Sequence, residues 1–387
     1  MQRTESRGVK GARPWRIASV GARTDLRPPV LNCARARAEG SPSGISLVEV
    51  AAVKDEFEWI RVIRKRAQRG APELVVGIGD DTAILERSAE TWWLLTTDAV
   101  IEGVHFRREY TPAYWLGQKA LAVNLSDIAA MGGRPRFFLL SLSVPADLPE
   151  EYLEEFVEGI LAAADRYATV LIGGNLAASP AGFSATVTVL GDCPAHQAVR
   201  RDGAQPGELI YVTGWLGLSA LGLKLLEDGY RWDAALPERV RRPIHAHLVP
   251  EPRLAIGQYV ARERLARAMI DVSDGLAQDL FHLCRESHVG AVVHAEALPL
   301  VVEAREFGVD PLVIALHGGE DYELLFTVKE EHASRVEEMR AQFPDLPLTC
   351  IGRTLEEAGR IYLERAGRWE LLPPRGFDHF RARTRTP

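Results

Sequence analysis

The chain has 387 residues, of which 47% are hydrophobic and 26% charged, with a net charge of −7, and it is too long for a single core. Two domains are the default at this length, and the acidic balance argues against a nucleic-acid partner. No apolar run approaches the roughly 18–20 residues of a membrane-spanning helix, and the four cysteines form no CxxC pair, which favours the reducing cytoplasm and no membrane partner.

The first 44 residues differ in composition from the rest. They hold eight Arg and one Lys against three acidic residues, and they contain Pro, Gly and Ser without an amphipathic period. We interpret residues 1–44 as a disordered, Arg-rich leader. An arm for targeting or for nucleic acid is the alternative, although 40 arginines against six lysines in the whole chain make an Arg cluster weak evidence of function.

Strands and helices are predicted from Ser46 onwards, where Ser46 and Glu49 have the capping-box pattern and Phe57, Ile60 and Ile63 recur at helical spacing. The first half is predicted to contain strands at 74–78, 92–97, 136–144, 169–172 and 183–190 and helices at 112–131 and 149–167. The second half is predicted to contain strands at 209–212, 268–272, 291–294, 322–328 and 362–364 and helices at 216–226, 255–265, 277–286 and 330–343. The pattern lapses at 194–206, which predicts one domain over 45–200 and another over 201–387.

Acidic residues recur beside glycines and hydroxyl residues in five segments. These are GIGDDTA (77–83), TTDAVIEGVHF (96–106), NLSD (124–127), DVSDG (271–275) and GGED (318–321). Two carboxylates brought to about 4 Å repel by roughly 4 kcal/mol at an effective dielectric near 20, so a fold that gathers several needs a cation. Oxygen ligands select Mg²⁺ or Ca²⁺, and Mg²⁺ commonly completes its coordination with substrate phosphates. The pattern therefore predicts a Mg²⁺-dependent nucleotide or phosphate enzyme.

Two common nucleotide signatures are absent from the sequence: GxxxxGK[ST] and a GxGxxG after a strand. A bound ATP would therefore have its charge met by metal ions rather than by a phosphate-loop lysine. Phosphoryl transfer needs positioning and charge neutralisation more than covalent help, so an acid-rich site loaded with Mg²⁺ suffices in principle.

The spacing of Asp127 from apolar residues indicates the direction of its side chain. Leu116, Ala120, Val123 and Asp127 fall at i, i+4, i+7 and i+11, within one stripe of the predicted helix. A buried carboxylate needs a metal or a donor. The alternative is a helix-end Asp that faces solvent.

The other acidic segments, taken singly, also have structural explanations. The segments at 96–98 and 271–275 can be caps, and those at 80–81 and 320–321 can be turns. His105 can be a structural histidine. His245 and His247 have no third ligand nearby in the sequence, and we assign both to the surface.

In this order the segments resemble those of thiamine-monophosphate kinases. The series continues through KALAVNLSDIAAMGGRP (119–135), LIGGN (171–175), DVSDGLAQDL (271–280), GGEDYELLFTV (318–328) and GFDHF (376–380), and it spans about 54–380. That family belongs to the superfamily named for aminoimidazole ribonucleotide synthetase. The resemblance implies a two-domain α/β and α+β fold, in which an N-terminal α/β domain dimerises through its sheet into a barrel and is followed by an α+β domain. It also implies that ATP phosphorylates thiamine monophosphate to thiamine diphosphate by direct, Mg²⁺-assisted transfer of the γ-phosphoryl group, in a cytoplasmic homodimer that binds several Mg²⁺ ions.

The resemblance also implies roles for individual residues. The implied metal ligands are Asp81, Thr96, Thr97, Asp98, Asp127, Asn175, Asp271 and Asp274, with Asp80 as a weaker candidate. The implied ATP contacts are Gly174, Asn175, Arg201 and Ser273. The implied contacts to thiamine monophosphate are His105, Glu320 and Phe377. No general base is implied, since the acceptor is itself a phosphate.

One position departs from the family pattern. The family usually has Gly-Gly-Asp-Thr, whereas this chain has Gly174, Asn175 and Leu176 at the corresponding place. An amide oxygen can bind Mg²⁺ but brings no charge, so the number of bound metals is in doubt. Two alternatives to the kinase stay open: another ATP-dependent member of the superfamily, and a non-catalytic protein that binds nucleotide or thiamine phosphate.

Overall fold

A computed structural model describes residues 56–67 and 70–377 of the chain. The predicted leader at 1–44, the capping box of Ser46 and Glu49, and residues 378–380 of the last motif lie outside these described residues. Within them, no helix is both long enough and apolar enough to cross a membrane.

A six-stranded mixed sheet organises the first half of the chain. Its order is β1-β2-β3-β6-β4-β5, in which only β4 and β5 run parallel. The strands are β1 (Leu74–Val76), β2 (Ala83–Ser88), β3 (Thr91–Ile101), β4 (Arg134–Pro145), β5 (Val170–Ser179) and β6 (Ser184–Pro194). The helices are α1 (Glu56–Arg66), α2 (Ala113–Ala130) and α3 (Glu150–Arg166). Helix α3 supplies the crossover that parallel neighbours such as β4 and β5 require.

A seven-stranded mixed sheet organises the second half. Its order is β13-β12-β9-β11-β7-β10-β8, in which only β9 and β12 run parallel. The strands are β7 (Leu209–Thr213), β8 (Ala266–Val272), β9 (Gly290–His294), β10 (Glu323–Val328), β11 (Leu348–Leu355), β12 (Ile361–Arg365) and β13 (Arg368–Leu371). The helices are α4 (Leu218–Glu227), α5 (Glu238–Leu248), α6 (Leu254–Arg262), α7 (Leu276–Glu286), α8 (Pro311–His317) and α9 (Ala333–Gln342).

Helix α2 lies at the centre of the molecule. Fourteen of its 18 residues are buried, as expected for a helix that is apolar around most of its circumference. It packs on α3 and on β3 and β6 of the first sheet, and it also contacts α6 and β8 of the second half. A shared core joins the two sheets, since Leu94 of β3 and Phe326 of β10 belong to one cluster of buried side chains. The end of α2 is thereby held beside β8.

The close packing of α2 on α3 depends on glycine at the contact. A Cβ atom added to Gly159 of α3 would lie 1.8 Å from the carbonyl oxygen of Tyr114 on α2. No side chain can be accommodated at that distance, so Gly159 is required for the helices to approach this closely. The contact fixes the axis of the helix that carries Asp127.

The structure confirms most predicted elements, including the long helix predicted at 112–131. Sequence analysis missed α5, which contains Pro243 and a run of charged residues that indicate a loop. The assignment of His247 to the surface is wrong, because its side chain lies on the inner face of α5 and is only 2% exposed. Strands β2, β11 and β13 and the short helix α8 were also missed. The predicted strand at 169–172 continues to Ser179 through two glycines that weaken the strand signal.

Candidate active site

Three carboxylates from distant parts of the sequence meet where α2 approaches β8. Asp81 follows β1, Asp127 lies in the last turn of α2, and Asp271 is in β8. One carboxylate oxygen from each residue lies within 4.8 Å of the corresponding oxygen of the other two. Asp81 and Asp271 are buried, and Asp127 is half-buried. The predicted inward orientation of Asp127 is confirmed, and the three side chains offer the oxygen ligands that Mg²⁺ prefers.

Hydroxyl groups orient two members of this cluster. The Thr96 hydroxyl on β3 donates a hydrogen bond to the carboxylate of Asp127. The Ser126 hydroxyl donates to Oδ2 of Asp271 at 2.6 Å, and thereby joins α2 to the second sheet. Sequence analysis did not single out Ser126, although it belongs to the NLSD segment beside Asp127.

Asn124 gives the same segment a third connection. Its Oδ1 accepts from the backbone N–H of Asp98 at 2.9 Å, and its Nδ2 donates to the carbonyl of Ala120 at 3.1 Å. The side chain is fully buried. Asn124 therefore fixes the backbone of β3 at the point where Thr97 and Asp98 follow Thr96.

Arg201 compensates part of the negative charge of the cluster. Its Nε donates to Oδ2 of Asp81 at 3.1 Å, and its Nη2 donates to Oδ1 of the same carboxylate, which makes the pair bidentate. The backbone N–H of Arg201 donates to Oδ2 of Asp80 at 3.3 Å. Burial disfavours the guanidinium, but Asp81 and Asp80 outweigh this effect and raise the pKa of Arg201. The predicted phosphate-binding arginine thus lies within the acidic cluster.

Two carboxyl groups of the cluster, those of Asp127 and Asp271, and the adjacent Asp80 have raised pKa values. Burial, followed by repulsion from Asp81, raises the pKa of Asp271 to about 8 and that of Asp80 to about 7. Burial, followed by the charges of Asp98, Asp271 and Asp81, raises the pKa of Asp127 well above its ordinary value. Each shift means that the folded chain disfavours full ionisation in the absence of a further cation.

The DVSDG loop is organised by Asp279, a residue that sequence analysis did not identify. Its Oδ2 accepts from the backbone N–H groups of Ser273, Asp274 and Gly275 at 3.1, 3.1 and 3.0 Å. Asp279 lies one turn into α7 and is 2% exposed. The carboxylate therefore fixes the loop that carries the predicted ligand Asp274 and the predicted ATP contact Ser273. Asp279 could have been found in the sequence as the acidic residue that directly follows DVSDGLAQ.

Two of the three predicted substrate contacts, Glu320 and Phe377, are bonded to the same loop, and the third, His105, influences Glu320. The backbone of Glu320 is bonded to that of Ser273, since its N–H donates to the Ser273 carbonyl at 2.7 Å. The N–H of Phe377 donates to the carbonyl of Asp274 at 3.1 Å, and the side chain of Phe377 is 39% exposed. His105 accepts from the backbone N–H of Ile101 at 3.0 Å, and it is among the groups that lower the pKa of Glu320.

Gly174 and Asn175 lie apart from the three-carboxylate cluster. They belong to β5, the edge strand, and Gly174 is aligned with Asp98 through Leu140 of β4 and Val187 of β6. Three strand spacings separate them, which is about 14 Å along the sheet. A Cβ atom on Gly174 would lie 1.8 Å from the Leu140 carbonyl oxygen, so strand packing alone accounts for this glycine. Within one chain Asn175 cannot share a metal ion with Asp98.

Comparison with known protein families defines the class of protein. The family model of the N-terminal domain of AIR synthase related proteins matches residues 79–193, and that of their C-terminal domain matches residues 205–363. The chain thus contains two AIR-synthase-type domains, each a mixed sheet with helices.

Individual relatives narrow this class to one family. The chain is 38% identical over 328 residues to the thiamine-monophosphate kinase of Salmonella typhimurium, over 84% of this chain and 98% of that protein. It is 35% identical to the Bacillus subtilis enzyme of the same name, over 84% of this chain and 100% of that protein. The solved structure of AaThiL complexed with AMPPCP and TMP is 35% identical and superposes with a TM-score of 0.72, over 84% of this chain and 97% of that one. The chain belongs to the thiamine-monophosphate kinase family.

We expect the metal-free protein to lose stability as the pH rises from about 6.5 to about 8. Ordinary carboxyl groups of the unfolded chain are ionised throughout this range. In the folded chain Asp80 and Asp271, with pKa values of about 7 and about 8, still hold protons in part of the range. The folded state therefore binds more protons, and the free energy of unfolding falls by at most about 1.4 kcal/mol per pH unit for each such group. Buried neutral His247 and His282, whose pKa values are lowered to about 3, oppose this fall near pH 6.5 and cease to do so above about pH 7.5, where unfolded histidine has lost its proton.

Urea unfolding in the presence of a chelator measures this dependence. Asp271→Asn, which cannot ionise, is the matched variant and reduces the slope. A free energy of unfolding that is level or rises over this pH range contradicts the expectation.

Proposed function

We propose that this protein is a Mg²⁺-dependent kinase that transfers the γ-phosphoryl group of ATP to the phosphate of thiamine monophosphate, giving thiamine diphosphate and ADP. The observation that carries the proposal is the approach of Asp81, Asp127 and Asp271 to within 4.8 Å in a member of the thiamine-monophosphate kinase family. A relative that was solved with AMPPCP and TMP supports ATP and thiamine monophosphate as the two substrates.

The donor set fits Mg²⁺. Three ionised carboxylates and the Arg201 guanidinium leave two uncompensated negative charges, which matches a divalent cation that binds oxygen. Asp81, Asp127 and Asp271 would hold the ion, and further ions would use Thr96, Thr97, Asp98 and Asp274. When bound, Mg²⁺ supplies neutralisation of the phosphate charge that otherwise opposes transfer.

The remaining residues have binding roles in this proposal. Asp81 uses two of the five N–H donors of Arg201, so the guanidinium retains donors for a phosphate oxygen. The Ser273 loop, held by Asp279, lines the ATP side. No general base is required, because the acceptor phosphate of thiamine monophosphate is already ionised near neutral pH.

The thiamine moiety would be bound by Glu320, His105 and Phe377. Phe377 has an exposed ring that can stack on an aromatic heterocycle, and its backbone is tied to the Asp274 loop. Glu320 offers a carboxylate to the aminopyrimidine or to the thiazolium cation. His105 lies near enough to Glu320 to influence the pKa of its carboxyl group.

We expect ATP- and Mg²⁺-dependent formation of ADP with thiamine monophosphate, and Asp127→Asn to abolish most of it. The loss should exceed the roughly 10- to 100-fold that removal of an outer-shell partner costs, because Asp127 would touch the metal directly. A coupled ADP assay measures this, with Asp165→Asn on the exposed end of α3 as the matched control.

The same assay separates the alternatives when thiamine, thiamine monophosphate and a purine intermediate are compared side by side. Turnover of only the purine intermediate would favour another member of the superfamily. Binding of thiamine monophosphate without ADP formation would favour a non-catalytic binder. Either result contradicts the kinase.

We also propose that the protein is a homodimer in which the first sheets of two copies form a barrel. Strand β5 supports this proposal, since it is the edge of its sheet and exposes Val170, Ile172 and Leu176 by 55%, 57% and 67%. An exposed, apolar edge of ten residues is a template for pairing with another chain. Leu139 of the adjacent strand, which is 44% exposed, extends the apolar surface.

Leu176→Lys is expected to convert the dimer to a monomer, because a charged residue on an edge strand opposes pairing. Sedimentation velocity measures the change. Leu371→Lys is the matched control, since Leu371 is 62% exposed on β13, the edge strand of the other sheet. A monomeric unmodified chain, or equal effects of the two changes, argues against the β5 interface.

Asn175 would lie at this interface and would contribute to a metal site through the second copy. We expect Asn175→Asp to lower the Mg²⁺ concentration needed for the half-maximal rate, because a carboxylate adds charge to an oxygen ligand. Asn175→Ala, which removes the ligand atom, should raise it. Identical Mg²⁺ titrations of all three proteins would show that residue 175 binds no metal.

The limits of the domains and the cellular location also belong to this proposal. The family matches end at residue 193 and resume at residue 205, which supports domains over 45–200 and 201–387. A cytoplasmic location is supported by the free thiols of Cys193, Cys284 and Cys350 within the described residues.

A further inference from the structure

Lys119 is a buried cation to which the proposed function gives no role. It lies on α2, two turns before Asp127, and its side chain is 2% exposed. Its Nζ lies 2.8 Å from Oε1 of Glu320 and donates to the carbonyl of His247 at 3.2 Å. An ammonium group at this depth requires a matched negative charge, and Glu320 supplies it.

His247 lies beside the other oxygen of the Glu320 carboxylate. Nδ1 of His247 lies 3.3 Å from Oε2 of Glu320 and 3.0 Å from the hydroxyl of Ser219. Burial, followed by the charge of Lys119, lowers the pKa of His247 to about 3, so the imidazole is neutral. Lys119 is therefore the principal counter-charge to Glu320. Burial alone would raise the pKa of Glu320, but Lys119, followed by His247 and His105, together outweigh burial, and the pKa lies below its ordinary value.

The backbone around Glu320 is strained in a way that directs its side chain. Glu320 and Tyr322 have φ angles of 65° and 51°, in the left-handed region that side chains other than glycine rarely adopt. The intervening Asp321 accepts from the backbone N–H groups of Gly217 and Ser219 at 2.6 and 3.1 Å, at the start of α4. Such strain persists only where the surroundings hold it, and it is concentrated at functional sites.

The presence of lysine rather than arginine at position 119 indicates that the geometry of the pair with Glu320 matters. The chain contains 40 arginines and only six lysines, yet the buried partner of Glu320 is a lysine. An ammonium is a compact point charge, whereas a guanidinium is a planar fork that pairs with both carboxylate oxygens at once. Arg253 and Glu323, three residues further on, form such a fork, with Nε donating to Oε2 at 2.7 Å. Lys119 contacts only one oxygen of Glu320, and the Glu320 side chain keeps an exposed fraction of 23%, against 5% for the side chain of Glu323.

We propose that Lys119 is a positioning residue for thiamine monophosphate: it acts through Glu320 by holding that carboxylate, ionised and in one orientation, toward the organic cation of the substrate. This inference rests on the proposed function. Lys119 itself does not touch the substrate, because the ammonium lies behind the carboxylate and is buried. Recognition of ATP does not involve Lys119, since the nucleotide would be held by Arg201 and the carboxylate cluster.

A double-mutant cycle on the full-length enzyme tests the inference. We expect Lys119→Met and Glu320→Gln each to raise the KM for thiamine monophosphate by roughly 10- to 100-fold, the size of a lost charge-assisted hydrogen bond. The KM for ATP should change by less than about threefold. The double variant should match Glu320→Gln alone within about threefold, because residues that act as one unit are not additive.

Arg253→Met is the matched control, since it also breaks a buried ion pair of the second sheet. It should lower the thermal midpoint but leave the ratio of the two KM values unchanged. Lys119→Arg serves as the second variant if Lys119→Met does not fold. It keeps the charge but changes the geometry, and it should raise the KM for thiamine monophosphate while sparing that for ATP.

The possible failures are distinguishable. An unmodified enzyme that forms no ADP with thiamine monophosphate overturns the proposed function itself. An active enzyme in which the effects of Lys119→Met and Glu320→Gln multiply, or in which Lys119→Met raises both KM values equally, overturns the inference about Lys119.

Discussion

Repulsion between buried carboxylates is the constraint on which the rest of the site depends. The fold brings Asp81, Asp127 and Asp271 together and withdraws them from water, which raises the pKa of the latter two well above the ordinary carboxyl range. Such an arrangement opposes folding unless a cation accompanies it. Arg201 supplies one positive charge, and the remainder is the charge of a divalent ion. The same deficit of positive charge suits the cluster to the divalent cation of the proposed function.

Helix α2 positions most of the side chains on which the candidate site depends. One helix carries Asp127 toward the other two carboxylates, Ser126 toward β8, Asn124 toward β3 and Lys119 toward Glu320. Its polar side chains lie in a helix that is otherwise buried on nearly every side, and each is bonded to a residue of another segment. A buried polar network of this kind is rigid when every member is satisfied. In the proposed function, one rigid helix therefore fixes both the carboxylates that would bind metal and the lysine behind Glu320, which would bind thiamine.

Two ion pairs at and just before the start of β10 show how the same chemistry serves different ends. Arg253 and Glu323 form a bidentate pair that is also bonded by Thr213, with little left to offer a ligand. Lys119 pairs with one oxygen of Glu320 on a strained turn, His247 lies beside the other oxygen, and the Glu320 side chain stays 23% exposed. The first arrangement is suited to stability, and the second to recognition of a cation.

Local sequence patterns were sufficient to indicate the chemistry of the protein. Acidic and hydroxyl residues in a fixed order indicated a metal-dependent phosphate enzyme and its family, and the helical spacing up to Asp127 indicated an inward carboxylate. The long α2 was predicted within one residue at each end, since an apolar helix that stops at two glycines has a strong local signal.

The contacts between residues that are distant in the sequence are known only from the three-dimensional structure. Lys119 and Glu320 are separated by about 200 positions, so no local pattern could pair them. His247, which we assigned to the surface because the sequence shows no third ligand near it, is buried. Likewise, only the strand order placed Asn175 on an edge far from Asp98. The local sequence gives the chemistry of each side chain. The burial of a side chain, its pKa shift and its charged partners arise from contacts between segments that are distant in the sequence.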